Sequence, residues 1–237
     1  MPGQAAAVEF AHDVAQFWDR QLGQRLFGIY LIGSLAHGGF SARYSDIDMA
    51  LIAEGRLRPG EIYLVNRKAA KRSAPFSSRL SLFWANQYFS AGRFPPLDRV
   101  DYIDHAVAIL ERRRVRPARP TLTEIRTYLR AEPFRKWSQE VHFFSSLSRI
   151  AIGDHKRYLR ALLYPARFLY SWETGTIGSN DEAVAFLQNR AAEIDTDLIL
   201  RALRCRNQGD NPQPLLVERS KLLQFREMCK ERIASPA

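Results

Sequence analysis

Apolar residues recur at helical spacing over residues 5–22, where Val8, Ala11, Val14, Ala15, Phe17, Trp18 and Leu22 fall close to i, i+3, i+4, i+7. The pattern then shortens. Phe27-Gly-Ile-Tyr-Leu-Ile is a β-branched and aromatic run that ends at Gly33-Ser34, which predicts a buried strand running into a turn. Asp46-Ile-Asp-Met-Ala-Leu-Ile-Ala predicts a second strand, closed by Glu54-Gly55. Pro59 opens a helix to about Arg72, a position where its missing N–H costs nothing. Leu80-Ser-Leu-Phe-Trp-Ala predicts a third strand, and Tyr102–Leu110 fits a fourth strand or a short helix equally well.

Arg112-Arg-Arg-Val-Arg-Pro-Ala-Arg-Pro is basic, proline-punctuated and poor in apolar residues, and reads as a linker. Beyond it the helical period takes over, at Thr121–Leu129, Phe134–Ile152, His155–Trp172, Asp181–Arg190, Asp195–Asn207 and Pro214–Ile233. The expected organisation is α+β: a mixed sheet with helices over residues 1–115, then an α-helical bundle over 121–237.

Composition narrows the class. At 237 residues, 46% hydrophobic and 25% charged, the chain can bury a core, and wholesale disorder is excluded. No apolar run reaches the roughly 18–20 residues a bilayer span needs. The first residues show neither a basic segment nor an apolar one, so neither a signal peptide nor a membrane partner is expected, and the cytoplasm is the expected compartment. Cys205 and Cys229, with no CxxC and no nearby His, read as two ordinary thiols. The net charge of +10 is concentrated between Arg56 and Arg119, where 14 basic residues face 5 acidic ones. Such a stretch favours anionic partners, RNA among them.

The chemistry lies in Gly33-Ser34 followed, after a loop containing Gly38-Gly39, by Ser45-Asp46-Ile-Asp48 at the head of an apolar strand. Strand side chains alternate, so Asp46 and Asp48 share a side. Two carboxylates so close repel one another unless a cation lies between them. Mg²⁺ takes one or two carboxylates together with substrate phosphates. A glycine turn admits close approach, and Ser34 offers a hydroxyl and an amide to the same oxygens. These parts describe a metal–nucleotide site for phosphoryl or nucleotidyl transfer.

The ordered motif resembles the nucleotidyltransferase superfamily that includes DNA polymerase beta, and within it the aminoglycoside adenylyltransferases of the streptomycin/spectinomycin type. Arg167-Phe-Leu-Tyr-Ser-Trp-Glu-Thr-Gly-Thr-Ile-Gly-Ser-Asn-Asp-Glu-Ala resembles a helix-and-turn segment in the helical domain of those enzymes. The resemblance implies a polymerase-beta-like first domain, Asp46 and Asp48 as catalytic Mg²⁺ ligands, and Gly33, Ser34 and Ser45 as nucleotide binders. It also implies that Arg167 reaches the triphosphate, with ATP as the expected nucleotide.

Two departures stand out. The family carries a third carboxylate on the strand after Asp-x-Asp, acting as metal ligand or base. Here that strand has no acid, and Ser81 stands about where one is expected. A serine is neither a carboxylate ligand nor a general base. Asp98, Asp101, Asp104 and Glu111 are downstream replacement acids, and the run holding Asp101 and Asp104 could fold back over the sheet. Each reads first as a solvated or capping group, with Asp98, Asp101 and Asp104 expected outside ligand distance of a metal. His37, which could touch a phosphate or the acceptor, reads first as an exposed loop side chain. Aminoglycosides are polycations, yet the connecting region is basic; Asp154 does not match the family's drug-recognising acid, and Asn180 replaces a lysine that the family tends to carry. The sequence therefore predicts Mg²⁺-dependent nucleotidyl transfer to a hydroxyl acceptor other than such a drug. The alternatives are a catalytically degenerate nucleotide- or RNA-binding member of the same fold, and a toxin–antitoxin-like interaction module.

Overall fold

The computed structural model describes residues 3–190 and 196–234. The chain divides into two compact units, Met1–Pro120 and Thr121–Ala237. In chain order the first contains α1 (Gln4–Leu22), β1 (Leu26–Ile32), α2 (Ser34–His37), β2 (Ile47–Ala53), α3 (Pro59–Arg72), α4 (Ala74–Ser77), β3 (Leu80–Asn86), β4 (Gly92–Arg93), α5 (Pro96–His105) and β5 (Val107–Glu111). The strands form a mixed sheet in the order β4-β3-β2-β1-β5. β2 and β3 are parallel, and the other pairs are antiparallel. The fold is α+β.

β1 and β2 read as unbroken apolar runs because both faces of the sheet are covered. Ile47, Met49, Leu51 and Ala53 pack with Phe10, Val14 and Trp18 of α1 and Val65 and Ala69 of α3. Ala50 and Ile52 face the opposite side, with Tyr30, Ile32 and Tyr102 of α5. Asp48, two residues before Ala50, shares that second side. Tyr102–Leu110 resisted assignment because a boundary falls inside it: α5 ends at His105 and β5 begins at Val107.

The basic stretch after β5 is no loose tether. The Arg112 and Arg113 amides donate to the Phe27 carbonyl, and Arg112 also pairs with Asp19. Tyr102 donates its hydroxyl to the Val115 carbonyl, and Arg119 holds Asp104 through two bonds of 2.6 and 2.8 Å. Part of the expected positive field is thus spent within the first unit.

The second unit contains α6 (Leu122–Arg130), α7 (Glu132–Ser145), α8 (His155–Thr174), α9 (Asn180–Arg190), α10 (Asp197–Gln208) and α11 (Lys221–Ala234). The helix expected to run to Ile152 stops at Ser145. The Ser145 and Ser146 hydroxyls turn back onto the His142 and Phe143 carbonyls, competing with the helical ladder. The segment expected as one helix from Pro214 divides into a 3₁₀ turn, Gln213–Glu218, and α11. The expected helix start at Asp195 lies outside the described residues. Cys205 and Cys229 are buried and form no disulfide. Among the described residues, no helix is long and apolar enough to cross a membrane.

Pro165 lies inside α8, where it cannot donate to the Ala161 carbonyl four residues back. The buried Trp137 supplies the missing donor, its Nε1 lying 2.9 Å from that oxygen while its ring stacks on Tyr164 at 4.5 Å. Replacing Trp137 by Phe keeps an aromatic ring, gives up the pyrrole half of the indole and orphans the carbonyl. We expect Trp137→Phe to cost about 1–3 kcal/mol in urea denaturation. The cost should shrink in a Pro165→Ala background, where an amide returns to the helix; equal costs in the two backgrounds would refute the coupling.

Candidate functional site

β1 delivers the chain to Gly33, which has φ of +66° and is followed directly by the single turn α2. The Ala36 and His37 amides close onto the Gly33 carbonyl at 2.9 and 3.1 Å, fixing the bend. This backbone region disfavours any residue with a Cβ. Space forbids one as well: a Cβ at residue 33 would stand 2.6 Å from Asp48 Oδ2 and 3.2 Å from Asp48 Cβ and Cγ. The register explains the contact, since Ile32 pairs with Asp48 across β1 and β2. The Asp48 carboxylate therefore lies against the Gly33 turn. Gly33 and Asp48, linked only by motif order in the sequence, are brought together.

Asp46 stands one residue ahead of β2, at the end of a loop built on its own side chains. Ser41 and Ser45 are buried. Ser45 Oγ accepts the Ser41 amide at 2.9 Å, and the Ser45 amide donates to the Ser41 carbonyl at 2.9 Å. The Ser45 hydroxyl thus has a structural task in the loop that presents the acids.

Arg79, which sequence reasoning missed, is the second support of that loop. Its Nε donates to the Ser45 carbonyl and its Nη1 to the Ala42 carbonyl, each at 2.8 Å, and its Nη2 also reaches Ser45. The guanidinium lies over the rings of Phe40 and Phe76, at 5.8 and 5.9 Å. Burial pulls its pKa below the usual arginine range, while the charge of Asp46 acts in the opposite sense. An arginine before a strand carries no sequence signal of this kind, because its partners lie more than thirty residues away.

The parallel register sets Ser81 of β3 beside Asp48 of β2. Neighbouring strands are about 4.8 Å apart, so the residue nearest Asp48 on that side is a hydroxyl. Asp98 lies in the first turn of α5, and Asp104 is paired with Arg119.

Asp101 departs from expectation. It is neither solvated nor a cap: it is 2% exposed, and its Oδ2 accepts the Gly33 amide at 2.6 Å. His37, expected on the surface, is largely covered; its Nε2 lies 3.8 Å from Asp101 Oδ1 and its ring 5.2 Å from that of His105. Among the described residues no three His, Cys, Asp or Glu groups gather as a metal-binding set. Of the two acids of the motif, Asp48 is the one whose carboxylate lies against the Gly33 turn.

Arg167 belongs to the second unit, on the exposed side of α8. The segment after it stops and restarts a helix. Gly175 takes the left-handed conformation that closes α8, and Ser179 with Glu182 forms a reciprocal cap for α9. Asp154 pairs with Arg157, which also holds Glu140.

Replacing Arg79 by Met keeps the stem and removes the donors to Ala42 and Ser45. We expect the protein to lose about 2 kcal/mol or more of stability. Amide exchange should accelerate in the peptide spanning residues 40–48, and unchanged exchange there would remove Arg79 from this role.

No family model matches the chain, and no curated protein matches it. Among solved structures, a mutant of the toxin–antitoxin MntA-HpeT matches 46% of this chain and 74% of its own at 18% identity, with a TM-score of 0.31, too low to carry an argument. The spectinomycin adenyltransferase AAD(9) from Enterococcus faecialis, solved with ATP and spectinomycin, matches at 13% identity with a TM-score of 0.65, over 94% of this chain and 98% of that one. The chain thus shares its fold with an adenyltransferase.

Proposed function

We propose that this chain is a cytoplasmic, Mg²⁺-dependent nucleotidyltransferase that moves a nucleotide from an NTP, ATP first, to a hydroxyl acceptor. The observation that carries the reading is the Asp48 carboxylate seated 2.6 Å from where a Gly33 Cβ would be. This ties the acidic strand to the turn at the end of β1 and leaves no room there for a side chain. The fold shared with an adenyltransferase solved with ATP supports it.

In this reading Asp46 and Asp48 hold the cation. When bound, the ion would supply charge neutralisation to the triphosphate and polarisation to its α-phosphoryl group; the acceptor hydroxyl would attack that phosphorus in line, with pyrophosphate leaving. Ser34 offers its hydroxyl to the phosphates. Arg79 and Ser45 hold the loop that aims the acids. Arg167 contributes a charge to the triphosphate from α8. The acceptor is a hydroxyl on a partner that a basic surface tolerates, an RNA end being one such class, rather than a polycationic drug.

One observation favours a second reading, a degenerate member that binds nucleotide or RNA without turnover: Ser81 is in register with Asp48 where a carboxylate would complete the site. Incubation with labelled ATP, GTP, CTP and UTP and Mg²⁺ or Mn²⁺, alone and then with RNA or aminoglycosides, separates the two. Transfer of label supports the first, and binding without transfer supports the second.

Two bare carboxylates repel a triphosphate, so the cation must mediate binding. Calorimetry with ATP should show affinity with Mg²⁺ that falls at least tenfold in EDTA, and at least tenfold in Asp48→Ala with Mg²⁺ present. Equal affinity in EDTA would sink the proposal.

A further inference from the structure

We infer that Asp101 is a positioning residue: its carboxylate pins the Gly33 amide and so fixes the turn against which Asp48 rests, leaving Ser34 rather than Gly33 to meet phosphate. The inference rests on the nucleotidyl-transfer reading for its functional consequence, but not for the pin itself.

The argument starts from cost. Asp101 is 2% exposed, and a carboxylate taken out of water is expensive unless it is hydrogen-bonded. Its Oδ2 is bonded at 2.6 Å to the Gly33 amide, 68 residues away in the chain, in the short range of charge-assisted bonds. The donor is no ordinary ladder amide. At Gly33 the chain leaves β1 with φ of +66°, a conformation open to a residue without Cβ and adaptable for the same reason. The Ala36 and His37 amides hold the Gly33 carbonyl from within the turn, and Asp101 anchors its amide from α5.

The same glycine has Asp48 on its other side, with Oδ2 2.6 Å from the Cβ position. Gly33 is thus held through its amide, with Asp48 against the side where a Cβ would stand, and any drift of the turn changes the wall behind Asp48. His37 Nε2 lies 3.8 Å from Asp101 Oδ1, and the His105 ring is tilted against that of His37 at 5.2 Å. An amide already bonded to a protein carboxylate is not a phosphate donor. This reassigns Gly33 from nucleotide binder to support, and leaves the Ser34 hydroxyl as the turn's group for phosphate.

The test compares full-length Asp101→Asn, which keeps an acceptor oxygen and loses the charge, with Asp101→Ala, which loses both. Asp104→Ala, one turn or less along α5 and outside the site, is the control. Two readouts are needed. Hydrogen exchange of the peptide covering residues 31–36 reports the pin without any ligand, and calorimetry with ATP and Mg²⁺ reports its consequence. Asp101→Ala should exchange faster there and bind ATP about tenfold or more weakly. Asp101→Asn should restore protection and bind within about threefold of the parent, and Asp104→Ala should change neither. Unchanged exchange in Asp101→Ala overturns the inference. So does failure of Asn to rescue, which would assign the effect to charge, and so does tighter ATP binding in Asp101→Ala, which would make the carboxylate a competitor of phosphate. If the parent binds none of the four NTPs, the functional reading fails, and the exchange experiment still decides whether Asp101 is the pin.

Discussion

The first unit is organised around one close approach, that of the Asp48 side chain to the backbone of Gly33. Everything near it follows from keeping that space empty. β1 and β2 must pair so that Ile32 lies opposite Asp48, which fixes the register of the central strands. The chain must leave β1 through a left-handed residue, which limits the position to glycine. β2 must begin in one place, and the buried Ser41–Ser45 loop clamped by Arg79 sets that starting point. A shift of one residue in β2 would turn Asp48 into the apolar layer of α1 and α3, where an unpaired carboxylate is costly.

The two units solve the problem of buried polar backbone in different ways. In the first, a charged side chain reaches loop carbonyls, and the arginine remains acceptable because aromatic rings accept its planar face. In the second, a proline removes a helical donor and a tryptophan from α7 replaces it. Each device links segments distant in sequence through one hydrogen-bonding group, so each is a place where a single substitution is felt across an element.

The elements with strong periodicity were legible. The first helix, the strands around the motif and the helix from Pro59 to Arg72 follow directly from residue order, because both the buried faces and the punctuation agree. The approach of Asp48 to Gly33 follows from motif order, because the two residues sit at the facing ends of adjacent strands. What stayed hidden depends on distance along the chain. Nothing near Asp101 marks it as the partner of an amide 68 residues earlier, and its neighbours Asp98 and Asp104 look identical in the sequence while ending as a helix-start acid and an ion-pair partner. The basic stretch after β5 read as a linker because composition records charge, not the carbonyl and carboxylates that receive it. The early end of α7 turns on two serine hydroxyls folding back, a competition that helical periodicity cannot register.

The serine in register with Asp48 also bears on the protein without ligand. A third carboxylate on β3 would add a negative charge within one strand spacing of Asp48, and in the cation-free state that repulsion would be a standing debit against folding. With Ser81 in its place the sheet carries less electrostatic strain when empty. On the proposed cation-binding reading, loading a cation beside Asp48 would perturb the parallel β2–β3 pairing less than it would in a three-acid site.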